Sequence, residues 1–316
     1  MIGISGCTGF IGARLGAMLS KSDVPWVGLA RSSDSFPECR IADLSNSLAL
    51  TAACAGLDTL FHCAGYAHAF SAVNGNDSKR HQEINFEGTR NLVEAAGQAG
   101  VKRFVFLSSV KAMAEPGDAL VEEDFEGEPN TAYGRSKRAA ERAVLEVGQR
   151  HGMHVVNLRL AMVYGSGGRG NLERMGRLVR LGGFPPLPET GNHRSLVHIE
   201  DVLAATRLVA EDDRANGRTY IVASPEAPSG RQLYDALREA LGLTPCAWAV
   251  PASALRMVAR VFDGVEFVTR RRIPLDSEAL ERLLGSAWYS PARLERELGW
   301  QARISLAEGL QEMFRQ

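Results

Sequence analysis

SGCTGFIG, residues 5–12, decides how the rest of the chain is read. It puts glycines at 6, 9 and 12 between a short apolar run, MIGIS (1–5), and a helical pattern, IGARLGAMLSK (11–21). Glycine permits the tight turn and the close backbone approach that a pyrophosphate needs. A helix that starts directly after the turn offers free N–H groups and the positive end of its dipole. A glycine triplet alone can be an ordinary turn. At the first strand–helix junction of an alternating chain it reads as a dinucleotide cradle, built from Gly6, Gly9, Phe10, Ile11 and Gly12.

The alternation continues outward from that loop. WVGLA, CRIADL, DTLFHCAG, RFVFLSS and HVVNLRLAMVYG read as strands, the last as one continuous strand. Helical patterns such as NFEGTRNLVEAAGQAG and YGRSKRAAERAVLEVGQRHG lie between them. Buried strands alternating with helices predict βαβ units and an α/β fold, a Rossmann-type doubly wound parallel sheet. The pattern loosens after Tyr164, at GSGGRGN and GGFPPLPETGN. Residues 1–164 are therefore expected to form the NAD(P)-binding domain. Residues 165–316 are expected to form mainly a smaller C-terminal substrate-binding lobe, with segments near 195–224 returning to the sheet.

Composition narrows the function. The chain has 316 residues, a net charge of −1, 45% hydrophobic and 23% charged residues, which suits a globular protein with a real core and no nucleic-acid field. Its five cysteines (Cys7, Cys39, Cys54, Cys63, Cys246) form no C-x-x-C pair, so no disulfide framework or metal site is expected. No apolar run is long enough to span a bilayer and no leader pattern opens the chain, which predicts a cytoplasmic protein. His62, His68, His193 and His198 lack metal spacing and are read as structural. TRRRI (269–273) reads as a solvated basic surface. ASALRMVARVFDGV (252–265) could lie at an interface, but a lobe helix packed against its neighbours is the favoured reading.

Cofactor choice turns on the end of the second strand. An acid there would hold the ribose of NAD, whereas an arginine suits the 2′-phosphate of NADP. WVGLA is followed by Arg31, with Asp34 three residues on. NADP is favoured and NAD is the alternative. Asp43 and Leu44 are placed for the adenine edge; Cys63, Ala64 and Gly65 are small enough for a cofactor to lie across them.

AYGRSKRAAER (132–142) sets Tyr133 one helical turn before Lys137. A free phenol titrates near 10 and is a poor proton shuttle; a neighbouring ammonium favours phenolate and brings it into range. Arg135, Arg138 and Arg142 read as solvated. GCTGFIG, ADL, FHCAG, NFEGT, FVFLSS, YGRSK, RSLVHIEDV and RELGW occur in the order seen in extended short-chain dehydrogenases/reductases, which the chain resembles along nearly its whole length. The resemblance implies a catalytic set of Ser109, Tyr133 and Lys137, with Ser108 in support; Tyr133 and Lys137 also face the cofactor.

Within that family the chain looks most like UDP-sugar 4-epimerases and UDP-4-keto-sugar 4-reductases of bacterial surface-polysaccharide synthesis. The likeness implies diphosphate contacts from Asn171, Arg194 and Arg282, and a possible homodimer. Dehydratase relatives carry an acidic pair after the catalytic serine; here Val110 and Lys111 stand there, which argues against loss of water. Arg31 tilts the reading towards an NADPH-using 4-reductase, with an NAD-dependent 4-epimerase as alternative. Two departures from the family pattern are Leu160, where relatives often have proline, and KAMAE (111–115). A reductase of a non-sugar carbonyl and a non-catalytic NAD(P)-binding protein are the competing classes.

Overall fold

Seven parallel strands form the central sheet in the order β3-β2-β1-β4-β5-β6-β9. They are β1 (Ile2–Ser5), β2 (Trp26–Ala30), β3 (Cys39–Ile41), β4 (Thr59–His62), β5 (Arg103–Ser109), β6 (His154–Leu160) and β9 (Arg218–Val222). The computed structural model describes residues 1–32, 39–66, 77–168, 170–269 and 277–315. Asp34, His68 and residues 270–273 of the basic run lie outside them. The order reverses between β1 and β4, so a crevice opens at the carboxyl ends of those two strands, where doubly wound sheets take their ligands.

Period-two alternation along β5 builds a core on each face of the sheet. Val105 and Leu107 join Ile4, Leu15, Leu158 and Val202, under α1 (Phe10–Lys21) and α7 (Ile199–Glu211). Phe104 and Phe106 join Leu50, Leu92, Val93, Val144 and Val155 on the other side. That second side is covered by α2 (Ser47–Cys54), α4 (Gly88–Gln98) and α5 (Ala132–His151). A short helix α3 (Asp77–Arg80) enters α4 through a π-helical turn over His81–Glu87, where Gly88 N–H bonds the carbonyl of Glu83.

HVVNLRLAMVYG is not one strand. β6 ends at Leu160, Ala161 N–H bonds the carbonyl of Val222, and β7 (Met162–Tyr164) leaves the sheet to pair with β8 (Leu196–His198). β9 pairs with β6 at the sheet edge, so residues 218–222 add the last strand to the central sheet. A third core belongs to the lobe and gathers Leu172, Met175, Leu233, Leu237, Leu255, Leu280 and Leu310. It is built from α6 (Asn171–Arg180), α8 (Gly230–Ala240), α9 (Ala252–Thr269), α10 (Ser277–Leu284) and α12 (Leu306–Phe314). α11 (Ala292–Leu298) packs against β9 instead. α9 was expected to pack against its neighbours, and among its described side chains Leu255 and Ala259 are buried while Met257 and Val261 are exposed.

One polar knot sits between α5 and the sheet. β6 turns Asn157 and Arg159 towards α5, where Glu141 is buried. Arg159 Nη2 lies 2.8 Å from Glu141 Oε2, and both side chains are under 10% exposed. Ser108 Oγ donates to Glu141 Oε1 at 2.6 Å, and Arg159 Nη1 donates to the carbonyl of Glu123 at 3.0 Å. Removing one member leaves the other charge buried and unpaired, at a cost of roughly 3–5 kcal/mol. Urea unfolding should therefore show a large loss for Glu141→Leu and for Arg159→Met alone. The double variant should lose far less than the sum of the two.

Candidate active site

The glycine loop fits a dinucleotide. Gly6 adopts a left-handed φ of 69°, and a Cβ on it would sit 2.6 Å from the amide nitrogen of Ala64, so β1 and β4 can meet here only through glycine. A Cβ on Gly12 would run into the carbonyl of Gly6. Gly9 caps α1 with no side-chain acceptor, so the first-turn amides remain directed out of the loop. Phe10 and Ile11 are half-buried behind them. Gly65 lies beside α5: a Cβ there would be 3.4 Å from Lys137 Nζ and from Asn85 Oδ1.

The outer end of the cradle is more polar. Arg31 directly follows β2 and is exposed. Asp43 accepts Ser45 N–H at 2.9 Å and Ser45 Oγ at 2.8 Å. Those bonds, together with the charge of Arg31, hold its carboxyl below the ordinary range. Leu44 packs where a Cβ on Gly88 would come within 3.0 Å of it. Cys63 N–H bonds the carbonyl of Ser5 at 3.1 Å, and burial pushes its thiol up to about 12, so it is an inert wall rather than a nucleophile.

Ser109, Tyr133 and Lys137 come together at the carboxyl end of β5. Ser109 closes that strand and its Oγ accepts Lys111 N–H at 3.2 Å, starting a short turn over Val110–Ala112. Tyr133 lies in the first turn of α5, whose cap Thr131 accepts Gly134 N–H at 3.0 Å. A Cβ on Gly134 would strike the carbonyl of Lys111, so glycine is what lets the tyrosine turn approach the serine turn. Ser109 lies near enough to the Tyr133 phenol to favour its ionised form.

Two expectations change here. Burial raises the Tyr133 phenol and Ser109 pulls it back; the lysine is not among the groups that shift it. Lys137 instead donates to the carbonyl of Leu107 at 2.9 Å and lies 4.5 Å from the centre of the Phe106 ring. It is 4% exposed, and burial lowers it to about 8, partly countered by Glu141. The reason is depth: the ammonium is held beneath the end of β5, against the carbonyl of Leu107. Arg138 is also not simply solvated. It is half-buried, and its Nη1 donates to the carbonyl of Ala112 at 3.1 Å, tying α5 to the serine turn. Arg135 caps Asn130 from the surface at 3.1 Å, and Arg142 is exposed, 3.9 Å from Glu128.

Sequence reasoning missed Asn85 and His81. Asn85 is buried; its Oδ1 accepts Tyr66 N–H at 2.7 Å and its Nδ2 reaches Ser136 Oγ at 3.3 Å, fastening the loop after β4 to α5. His81 packs edge-on to the Tyr133 ring at 5.5 Å. The NFEGT motif carried the signal for Asn85; nothing local marked His81. His62 is buried in a chain that fixes its tautomer. Thr89 Oγ1 gives its proton to the carbonyl of Asn85 at 2.7 Å, so it accepts from His62 Nε2, and Ser5 Oγ donates to Nδ1 at 2.6 Å. Burial drops His62 to about 3, so it stays neutral. His193 stacks on Trp288 at 3.8 Å, and His198 is buried beside Tyr164. Among the described residues no cluster of metal-ligand type occurs.

Facing the serine turn is a charged cluster. Arg194 is half-buried, donates to the carbonyl of Gly285 and feels Tyr289, Arg282 and Glu115. Glu115 pairs with Lys111 at 3.0 Å. Arg282 is exposed near the end of α10. The cluster thus joins Arg194 to Arg282 and adds Lys111, Glu115 and Tyr289, which the sequence did not single out as a group. Asn171 is exposed at the first position of α6 and, among the described residues, is not one of the groups that bear on Arg194.

A model of the NAD dependent epimerase/dehydratase family matches residues 2–223. UDP-glucose 4-epimerase of Vibrio cholerae is 28% identical over 320 residues, covering 98% of this chain and 93% of that protein. The 3 beta-hydroxysteroid dehydrogenase/Delta 5-->4-isomerase of Mycobacterium tuberculosis is 27% identical, covering 98% and 88%. MoeE5, solved in complex with UDP-glucose and NAD, superposes with a TM-score of 0.78 at 25% identity, covering 99% of this chain and 96% of that one.

Lys137 supplies a test of the burial argument. Unfolded, it keeps its proton to about 10.5; folded, only to about 8, so between those values the unfolded chain binds more protons and stability rises with pH. Below pH 8 the buried charge costs on the order of 3 kcal/mol by that linkage. Thermal unfolding at pH 7 should find Lys137→Met no less stable than the parent. Its advantage should shrink as pH rises from 8 towards 10.5.

Proposed function

Because the chain belongs to the NAD dependent epimerase/dehydratase family, we propose that it moves hydride at C4 of a UDP-linked sugar, as an NADPH-using reductase of a 4-keto sugar. The observation that carries this reading is the meeting of Ser109, the Tyr133 phenol and buried Lys137 at the end of β5, with Lys137 reaching Gly65 at the mouth of the glycine cradle. When bound in that cradle, the nicotinamide supplies hydride to C4. Tyr133 donates its phenolic proton to the C4 oxygen, turning ketone into alcohol, and Ser109 holds the same oxygen. Burial keeps the phenol protonated in the resting protein, the form a donor needs. Lys137, still charged below about pH 8, holds the nicotinamide ribose.

Gly6, Gly9 and Gly12 cradle the pyrophosphate. Arg31 favours the 2′-phosphate of NADP, since guanidinium geometry suits a phosphate and no acid directly follows β2. Arg194 and Arg282 take the substrate diphosphate, and Asn171 adds a contact from α6. Pairing of two copies through α4 and α5 would bury the exposed ion pairs of Arg150 with Glu94 and Glu146, so a homodimer there would be polar. Its five cysteines are free, which suits the reducing cytoplasm.

A second reading is an NAD-dependent 4-epimerase that oxidises C4 and returns the hydride to the other face. The Vibrio cholerae relative, a UDP-glucose 4-epimerase aligned over nearly the whole chain, favours it. The mycobacterial steroid dehydrogenase keeps a non-sugar carbonyl in view. Chromatography of nucleotide released from the denatured protein separates the first two. An empty protein that binds NADPH much better than NADH supports the reductase; near-stoichiometric NAD favours the epimerase and overturns the role of Arg31. UDP raising the melting temperature argues for a nucleotide sugar, and no shift argues for a neutral carbonyl. Tyr133→Phe should lower turnover by about 10²–10⁴ and leave cofactor affinity nearly intact. Turnover by the parent should also fall as pH rises through about 8, where Lys137 loses its charge.

A further inference from the structure

Among the described residues nine large hydrophobic side chains stand exposed, and four of them, Trp248, Met257, Val258 and Val261, fall between residues 248 and 261. Chance scatter does not put four of nine into fourteen residues, and scattered single exposures are what a surface ordinarily shows. Trp248 is 63% exposed, Met257 65% and Val261 60%. At about 100° per residue, Leu255 and Ala259 mark the buried edge of α9. Met257 and Val261 then lie on the far edge with Val258 beside them, and Arg256 and Arg260 form an exposed row along the other flank. Arg256 Nε is 2.8 Å from Glu281 of α10, an exposed pair that contributes little to stability. Over its described side chains α9 is therefore apolar on two sides: one fills the lobe core and the other faces out next to cations.

We propose that this outer side of α9, with Trp248, docks the C-terminal lobe on an anionic lipid surface. An apolar stripe flanked by arginines is the arrangement of a helix lying in the headgroup–acyl boundary, where arginine stems cover apolar surface and their heads reach the phosphates. A tryptophan beside the stripe suits the same layer. Four side chains do not supply the roughly 1,200–2,000 Å² that a stable protein interface buries, whereas reversible adsorption needs only a modest insertion plus charge. No helix among the described residues is long and apolar enough to cross the bilayer, so the contact is a surface one. The proposal stands apart from the choice of substrate.

The test is co-sedimentation of the full chain with vesicles of phosphatidylglycerol and phosphatidylcholine, and with phosphatidylcholine alone. Binding should require the anionic lipid and weaken with salt. It should fall at least about tenfold in Met257→Asp/Val261→Asp and in Arg256→Gln/Arg260→Gln, at unchanged melting temperature and cofactor affinity. Tryptophan emission of the parent should shift to the blue on adding anionic vesicles, and this shift should vanish in Trp248→Phe, which keeps the question answerable if a double variant misfolds. No binding to anionic vesicles, binding unaffected by the α9 variants, or no emission shift overturns the proposal. So does a lipid-free dimer that dissociates in Met257→Asp/Val261→Asp, which would make the patch a contact between copies.

Discussion

Two opposite charges, Lys137 and Glu141, lie one turn apart on α5 and are both driven into the face of the sheet. An ionised group taken from water demands partners, and much of the molecule around α5 answers that demand. Glu141 is met by Arg159 and Ser108 from neighbouring strands. Among the described residues Lys137 has a carbonyl, an aromatic face and the fields of Glu141 and Cys63, and burial leaves it with a lowered pKa. One turn of helix thus holds a satisfied charge that anchors and a poorly satisfied charge that remains available. Perturbed groups of the second kind cluster at functional sites.

The anchor also explains how precise the site is. Ser108 and Ser109 are consecutive in β5, so they point to opposite sides of the strand. Ser108 locks β5 to Glu141, and Ser109 is thereby held where the Tyr133 phenol can reach it. Gly134 removes the steric barrier between the two turns, Arg138 ties α5 to Ala112, and Asn85 fastens the loop after β4 to Ser136. The lobe has its own core and meets this constellation through the ladder of β7 and β8 and through the charged cluster around Arg194. That cluster is built across long sequence distances, from Lys111 and Glu115 on one side to Arg282 and Tyr289 on the other.

Much of this was legible in residue order. The glycine spacing, the β-branched runs and the Tyr133–Lys137 interval all act within a few residues, and local sterics make them readable. What failed to show depends on neighbours far along the chain. HVVNLRLAMVYG looked continuous because nothing in it announces that Ala161 bonds Val222. His81 could not be linked to Tyr133, fifty-two positions away, and the exposed side of α9 could not be told from a core face because both are apolar.

By itself, then, the sequence determined a doubly wound α/β chain with a glycine cradle, and a serine, tyrosine and lysine at family spacing, because backbone freedom and helical periodicity are properties of short segments. Only the tertiary structure decided the electrostatic state of those groups. Depth below the surface, and not the i to i+4 interval, sets how far Lys137 is depressed and leaves the Tyr133 phenol raised. Depth is a sum over every element packed around a residue, and no short stretch of sequence contains it.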